Sequence, residues 1–298
     1  MRTLLATLML VSVVMLALGN AGNCQDEIEN RDSKPFPIVE TRDKVIAPPE
    51  GCHPFYKKYI NANGVVIVGS EKVSDAAMIT ARKTVLHLVS KRPDVLKAML
   101  KHHPRISIMA FSEKASDLPE FGPESAGEWG LGQMPGDPTS LVSEKGIRYK
   151  GNKEYIADFL MHEFVHVVHN FAMPKTDPEV VDKIYAAYLN AVKEGRFMAP
   201  PREPRENTTP FDEYRDDEYF THCVNAYYDL NERLPGPWVD IKIGEWGERS
   251  GTRKQLREND PIIYEIIEKF FPKSLTDLRA NDMSNRTRAK PPSRKENL

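Results

Sequence analysis

The sequence predicts an α+β fold, and three observations lead to this prediction. Residues 65–68 are a β-branched apolar run, which indicates a buried strand. Residues 105–111 alternate between apolar and other side chains and indicate a second strand, and a helical pattern separates the two. Beyond about residue 158, apolar residues recur at helical spacing. We therefore expect a mixed sheet first and a helical C-terminal half.

Residues 1–21 have the pattern of a secretory signal peptide. Arg2 is followed by an apolar run from Leu4 to Leu18, and small residues stand at 19–21. The run is too short for a membrane anchor, and no later stretch is apolar enough to span a bilayer. We expect a secreted, extracellular protein whose mature chain has no membrane span.

Composition agrees with that expectation. The formal net charge is −2, which offers no electrostatic basis for binding nucleic acid or a membrane surface. Two sequons predict glycosylation at Asn207 and Asn285. Residues 22–50 are polar and interrupted by prolines, and we interpret them as an extended leader or linker, with a short propeptide as the alternative.

The globular domain is predicted at residues 51–276. A turn at residues 61–64 precedes the first strand, and Ser74 is the predicted N-cap of the helix that follows. Pro93 starts a further helix before the second strand. Residues 112–152 are rich in glycine, proline and serine, and we interpret them as an irregular segment that forms either a cleft rim or a surface loop.

Two later helices begin at Asp-Pro pairs. The first starts at Asp177 and Pro178 and ends at Gly195; the second starts at Asp260 and Pro261 and presents an apolar stripe that closes the core. Residues 277–298 form a basic tail without apolar periodicity, which we predict to be disordered. No internal repeat is evident.

The cysteines predict at most one internal disulfide. Cys24, Cys52 and Cys223 would remain after removal of the signal peptide, an odd number. We favour a bridge between Cys52 and Cys223. The alternative pairs Cys24 with Cys52, and Cys24 is otherwise free or joined to another chain.

One predicted helix carries the motif HExxH at residues 162–166. His162 and His166 are four residues apart, so both imidazoles project from one face of the helix and can converge on a single metal ion. Glu163 is adjacent and suits proton transfer in amide hydrolysis. The helix is apolar nearly all round, which predicts burial, and buried imidazoles need partners.

A third protein ligand is required, because two histidines and a water leave tetrahedral zinc one ligand short. The sequence lacks the glycine and third histidine of the HExxHxxGxxH class, since these positions are His169 and Ala172. A glutamate from a later helix is the other known arrangement, and Glu218 is the best candidate. A capping acid at a helix N-terminus is an equally ordinary interpretation of Glu218.

HEFVHVVH followed by EYF resembles the gluzincin type of zinc metallopeptidase. Within that type, the chain is most similar to the lethal-factor-like catalytic domain and to a group of secreted proteins with HEFAHxxH and EYFAE. The resemblance covers about residues 52–275. It implies a zincin-like domain whose mixed sheet packs on the HExxH helix, one Zn²⁺ held by His162, His166 and Glu218, and Glu163 as general base. Further stretches that look shared are 55–59, 64–70, 75–77, 92–95, 108–110 and 117–120.

The chain departs from this group at two positions. His222 replaces an acidic residue that is expected to orient a zinc-bound histidine, and Phe211 replaces a tyrosine thought to steady the oxyanion. Tyr214 is near that tyrosine position but out of register. His222 is also a possible ligand, because it shares a helix face with Glu218. His169 is interpreted as a residue beside the ligands or in the substrate cleft, or as a partly exposed histidine.

The sequence thus predicts a secreted zinc metallopeptidase that acts on a peptide or protein substrate. The alternative is an extracellular binding or structural protein that has kept the zincin fold and lost turnover; His222 and Phe211 favour it, whereas the intact Glu163 opposes it. Hydrolysis of another acyl substrate also stays open, because a fold does not fix a function.

Overall fold

The computed structural model describes residues 35–120, 132–133, 138–155, 158–197, 216–230 and 251–274. Its sheet contains β1 (Lys58–Ala62), β2 (Val65–Gly69), β3 (Arg105–Met109), β4 (Gly132–Gln133) and β5 (Thr139–Ser143). The strand order is β1-β2-β3-β5-β4. The central strands β2, β3 and β5 are parallel, whereas β1 and β4 pair antiparallel at the edges. The sheet is therefore mixed.

Helices dominate the described residues after β5. Before it lie α1 (Asp75–Val89) and α2 (Pro93–Met99). After it come α3 (Phe159–Val167), a π-helical turn (Val168–Ala172), α4 (Met173–Thr176) and α5 (Pro178–Lys193). The remaining helices are α6 (Asp216–Tyr227), α7 (Arg253–Asn259) and α8 (Pro261–Phe270). The predicted α+β class is confirmed.

Local sequence explains where several elements begin. The Ser74 hydroxyl accepts hydrogen bonds from the backbone N–H groups of Ala76 and Ala77, as predicted for an N-cap. Proline stands in the first turn of α5 and of α8, where its missing N–H costs no helical bond. The turn between β1 and β2 has positive φ at Asn63 (51°) and Gly64 (101°), which suits a tight hairpin.

The two faces of the sheet pack against different partners. Ile60, Ile67 and Ile106 face the main core, which also contains the apolar sides of α1, α3, α5, α6 and α8. Val66 and Val68 point the opposite way, because side chains alternate along a strand, and form a smaller cluster with Tyr56 and Tyr59. Helix α3 packs on β5 from the main core, so the sheet supports the HExxH helix.

The chain from Phe36 packs against the smaller cluster. The Tyr59 hydroxyl donates to the carbonyl of Pro37 at 2.8 Å and accepts from the N–H of Val39 at 3.1 Å. The described residues from Phe36 onward belong to one compact unit. The first part of the predicted leader, the signal peptide and the tail lie outside the described residues, so the domain boundaries stay predictions.

The predicted disulfide between Cys52 and Cys223 is wrong, because both cysteines are free thiols. Cys52 packs beside the cluster of Tyr56, Tyr59, Val66 and Val68, whereas Cys223 is fully buried in α6 within the main core. The sheet lies between these two clusters. A disulfide requires Cβ atoms about 4 Å apart, which this arrangement does not permit. Cys24 lies outside the described residues.

None of the helices in the described part of the chain is both long and apolar enough to cross a membrane.

An ion-pair network joins α2, α5 and α8 at Asp177. Its carboxylate accepts from Arg92 at 2.5 Å and from Lys269 at 2.5 Å, and the Arg92 guanidinium lies over the Phe270 ring. Burial alone would raise the pKa of Asp177, but the hydrogen bonds from Arg92 and Lys269 outweigh burial and lower this pKa. The unfolded chain therefore takes up the proton first as the pH falls.

We expect Asp177→Asn to destabilise the protein most at pH 7 and progressively less as the pH falls below about 4, the usual pKa of aspartate. The reason is that acid removes the same charge from the wild type. The measurement is urea unfolding of both proteins at pH 7, 5 and 3.5. Asp182→Asn is the control, because Asp182 lies in the same helix α5 and is exposed to solvent. A wild-type advantage that does not change with pH would contradict this account.

Candidate metal centre

Helix α3 places the two motif histidines on one face. The Asp158 side chain accepts from the N–H of Met161 at 3.4 Å and so caps the helix start. Leu160, Phe164 and Val165 are buried and hold the helix against the sheet and α6. The predicted burial of this helix is confirmed. The Glu163 side chain is also buried, with its residue only 5% exposed.

A π-helical turn follows the motif directly. Val168–Ala172 has one residue more per turn than an α-helix, a feature found frequently at functional sites. His169 lies in this turn and is buried, with its ring 5.5 Å from that of Phe220. Its Nδ1 is 2.8 Å from the Asn170 side-chain oxygen. The interpretation of His169 as a partly exposed residue is therefore wrong.

Helix α6 brings Glu218 to the histidines. Its first turn is acidic, with Asp216, Asp217 and Glu218, and the residues that follow are buried. Acidic side chains are favourable in this position because the first backbone N–H groups of a helix carry partial positive charge. Since α6 packs against α3, the acidic turn lies beside the HExxH motif.

The donor atoms of His162, His166 and Glu218 form a compact cluster, all within 4.8 Å of one another. The Nε2 atoms of His162 and His166 are 3.2 Å apart. Glu218 Oε2 is 3.2 Å from His162 Nε2, and Glu218 Oε1 is 3.7 Å from His166 Nε2. Among the described residues, this is the group of His, Cys, Asp and Glu side chains that could hold a metal ion.

The cluster fits a zinc ion. Ligand distances of about 2.0–2.2 Å in a tetrahedron place neighbouring donor atoms about 3.3 Å apart, close to the observed separations. Two neutral imidazoles and one carboxylate are also a donor set that zinc accepts. The HExxH spacing thus brings His162 and His166 together, and the packing of α6 against α3 adds Glu218.

The electrostatics of the cluster favour a positive charge. Burial alone would lower the pKa of His166, but Glu218 and Asp217 outweigh burial and raise this pKa to about 9. Burial would likewise raise the pKa of Glu218, yet His166 and His162 hold it far below the usual value.

Glu163 differs from these ligand candidates. Its burial raises its pKa above the usual value, and the neighbouring His162 and His166 offset only part of that effect. A carboxyl group with a raised pKa exchanges protons nearer to neutral pH, which is the property a general base and acid needs.

His222 lies beside the cluster. Its ring centroid is 5.0 Å from that of His162, and its Nε2 is 4.0 Å from Glu218 Oε2. Burial and the neighbouring His162 lower the pKa of His222 to about 3, so its imidazole is neutral at pH 7. His222 is therefore adjacent to the three donors but stands outside the compact group.

Sequence reasoning missed Asp217. Its carboxylate Oδ2 is 3.5 Å from Nδ1 of His166, the ring nitrogen that faces away from the donor cluster. The one available signal was the acidic run before Tyr219, which indicated only a helix N-terminus. Phe211, Tyr214, Asn207 and Asn285 lie outside the described residues, so their predicted roles stay predictions.

No protein-family model and no curated protein matches the chain. Among solved structures, the Pro-Pro endopeptidase (PPEP-2) from Paenibacillus alvei matches with a TM-score of 0.36 and 18% identity, covering 69% of this chain and 97% of that one. Likeness at this level does not establish a shared function.

Proposed function

We propose that this chain is a zinc-dependent metallopeptidase of the gluzincin type, similar to the lethal-factor-like group. One observation carries the proposal: the donor atoms of His162, His166 and Glu218 converge within 4.8 Å beside the buried Glu163. The HExxH spacing, the third carboxylate from a later helix and an adjacent proton acceptor are the parts that this chemistry requires.

The residues divide the work of peptide hydrolysis. His162, His166 and Glu218 would hold the ion, and bound zinc would supply Lewis acidity toward the scissile carbonyl and the attacking water. Glu163 accepts a proton on its carboxylate from the water that attacks the carbonyl carbon. It then returns that proton to the amide nitrogen as the C–N bond breaks, so the carboxylate is regenerated.

The wider prediction places this activity outside the cell. It rests on the signal peptide at residues 1–21 and on the sequons at Asn207 and Asn285. Secretion and glycosylation are proposals of the sequence alone. The predicted disulfide does not support secretion, because Cys52 and Cys223 are free thiols.

A catalytically silent zinc-binding protein is the second candidate, and His222 favours it. Structural zinc sites have four protein ligands and no open position. His222 is neutral, buried and 4.0 Å from Glu218 Oε2, so a small movement would offer zinc a fourth ligand. Zinc bound without cleavage of any peptide in a random library would support this candidate over the peptidase.

We expect His162→Ala to abolish zinc binding, because it removes one of three protein ligands. Plasma emission spectrometry of the purified proteins should find about one zinc per chain in the wild type and close to none in the variant. His102→Ala is the matched control, because His102 is exposed on the 3₁₀ turn Leu100–His102. Absence of zinc from the wild type would overturn the proposed function.

A further inference from the structure

A metal-binding imidazole must keep its coordinating nitrogen unprotonated, and a hydrogen-bond acceptor at the other ring nitrogen ensures this. A carboxylate that faces the far ring nitrogen of a candidate ligand would therefore act on the metal site without binding the ion itself.

Asp217 occupies such a position. Its Oδ2 is 3.5 Å from Nδ1 of His166, while Nε2 of the same ring points into the donor cluster, 3.2 Å from His162 Nε2. The His166 side chain is 7% exposed and that of Asp217 29%, so the contact is partly shielded from water.

The other oxygen of Asp217 is also engaged. Oδ1 accepts a hydrogen bond from the backbone N–H of Glu218 at 2.7 Å. One carboxylate thus contacts two of the three candidate ligands, the ring of His166 and the backbone of Glu218. A capping acid alone would need only the second contact.

We propose that Asp217 is a positioning residue that holds His166 as the Nδ1–H tautomer and fixes Glu218 beside it. This inference rests on the proposed function. The Nδ1–H tautomer leaves the Nε2 lone pair free for the metal. Asparagine at 217 would present either an acceptor or an N–H group to His166, so it would no longer enforce this tautomer.

Asp216 provides a matched control. It precedes Asp217 in the same helical turn and carries the same charge, but its Oδ2 lies 3.9 Å from Nε2 of His169, which stands outside the donor cluster. Asp216→Asn and Asp217→Asn remove equal charge from neighbouring positions. A difference between them therefore reports the contact with His166 rather than the overall field.

The test is the affinity for Zn²⁺ alone, measured by competition with a chromophoric chelator. We expect Asp217→Asn to weaken zinc binding about tenfold to hundredfold, the usual effect of losing such a partner, and Asp216→Asn to leave it close to wild type. Asp217→Ser should weaken binding like Asp217→Asn, because serine accepts from a helix N–H but is too short to reach His166.

A second readout separates orientation from folding. In zinc-loaded protein with ¹⁵N-labelled histidine, the Nδ1–H resonance of His166 should be protected from exchange in the wild type and in Asp216→Asn, and lost or shifted in both Asp217 variants. Equal zinc affinities for the Asp216→Asn and Asp217→Asn proteins, with zinc bound by the wild type, would overturn this inference alone. A wild type that binds no zinc would overturn the proposed function as well.

Discussion

Replacing Glu163 by glutamine is expected to lower kcat for peptide hydrolysis by about 10³-fold, within the range that general acid–base catalysis contributes. Glutamine keeps the size of glutamate and one hydrogen-bond-accepting oxygen, but it cannot take a proton from water. Glu163 is buried, so a substitution there must keep the shape of the side chain. Since glutamine is nearly isosteric with glutamate, the change should leave α3 and the donor cluster in place. The measurement is the rate of cleavage of a quenched random-peptide library, with zinc content determined on the same samples.

Glu154→Gln is the control for the chemistry of the substitution. The Glu154 side chain is 60% exposed and pairs only distantly with Lys145, at 3.8 Å, so cleavage should be unchanged. Undiminished cleavage by Glu163→Gln with zinc still bound would assign the proton transfers to another group. Loss of zinc together with cleavage would instead mean that glutamine disturbs the ligands.

Elements with a clear apolar period were predictable from sequence. A run of β-branched residues located the strand at Val65–Gly69, and alternation located the strand at Arg105–Met109. Helical spacing and residues at the helix starts located α1, α5 and α8. Strand β5 was missed within the segment interpreted as irregular. Three of its five residues are serine or threonine, and its strand conformation depends on pairing with β3, which is not a local property of the chain.

Strand β1 illustrates the same limit. The turn at residues 61–64 was predicted, but Lys58–Ala62 has no alternating pattern because β1 is buried along nearly its whole length. Its register against β2 follows from the turn, with Ala62 opposite Val65 and Ile60 opposite Ile67. Local propensity does not decide such a strand, whereas the neighbouring strand does.

For the site, spacing alone predicted that His162 and His166 share a helix face. The approach of Glu218 depends on how α6 packs against α3, and sequence offered it only as a candidate. The rotation of α6 about its own axis decides that Asp217 faces His166 and that His222 faces His162. His169, which lies seven residues after His162 and in the π-helical turn, contacts Phe220 and Asn170 and stands outside the donor cluster.

Asp260, at the start of α8, forms a buried polar group with Arg196 and with Tyr219 of helix α6. The Asp260 carboxylate accepts from the Tyr219 hydroxyl at 2.5 Å and pairs with the Arg196 guanidinium. The side chains of Asp260 and Arg196 are 5% and 7% exposed, and Tyr219 is fully buried. Tyr219 follows Glu218 directly, so this group fixes the helix that carries the third candidate ligand.

Asp260→Ala is expected to lower the free energy of unfolding by about 3–5 kcal/mol, the usual cost of removing one partner from a buried ion pair. The loss removes the buried carboxylate that pairs with the Arg196 guanidinium and that accepts from the Tyr219 hydroxyl. The measurement is urea unfolding in the presence of a chelator, so that metal binding adds nothing to stability.

Glu194→Gln is the matched control, because Glu194 binds the same arginine at 2.6 Å from a side chain that is 52% exposed. Ion pairs of exposed side chains contribute little to stability, so this variant should be close to wild type. Equal losses of unfolding free energy in Asp260→Ala and Glu194→Gln would contradict this account. They would show that the buried partner of Arg196 stabilises the protein no more than the exposed partner does. A large loss confined to Asp260→Ala, accompanied by weaker zinc binding once the chelator is removed, would show that Tyr219 and Asp260 transmit the packing of α8 to the position of Glu218.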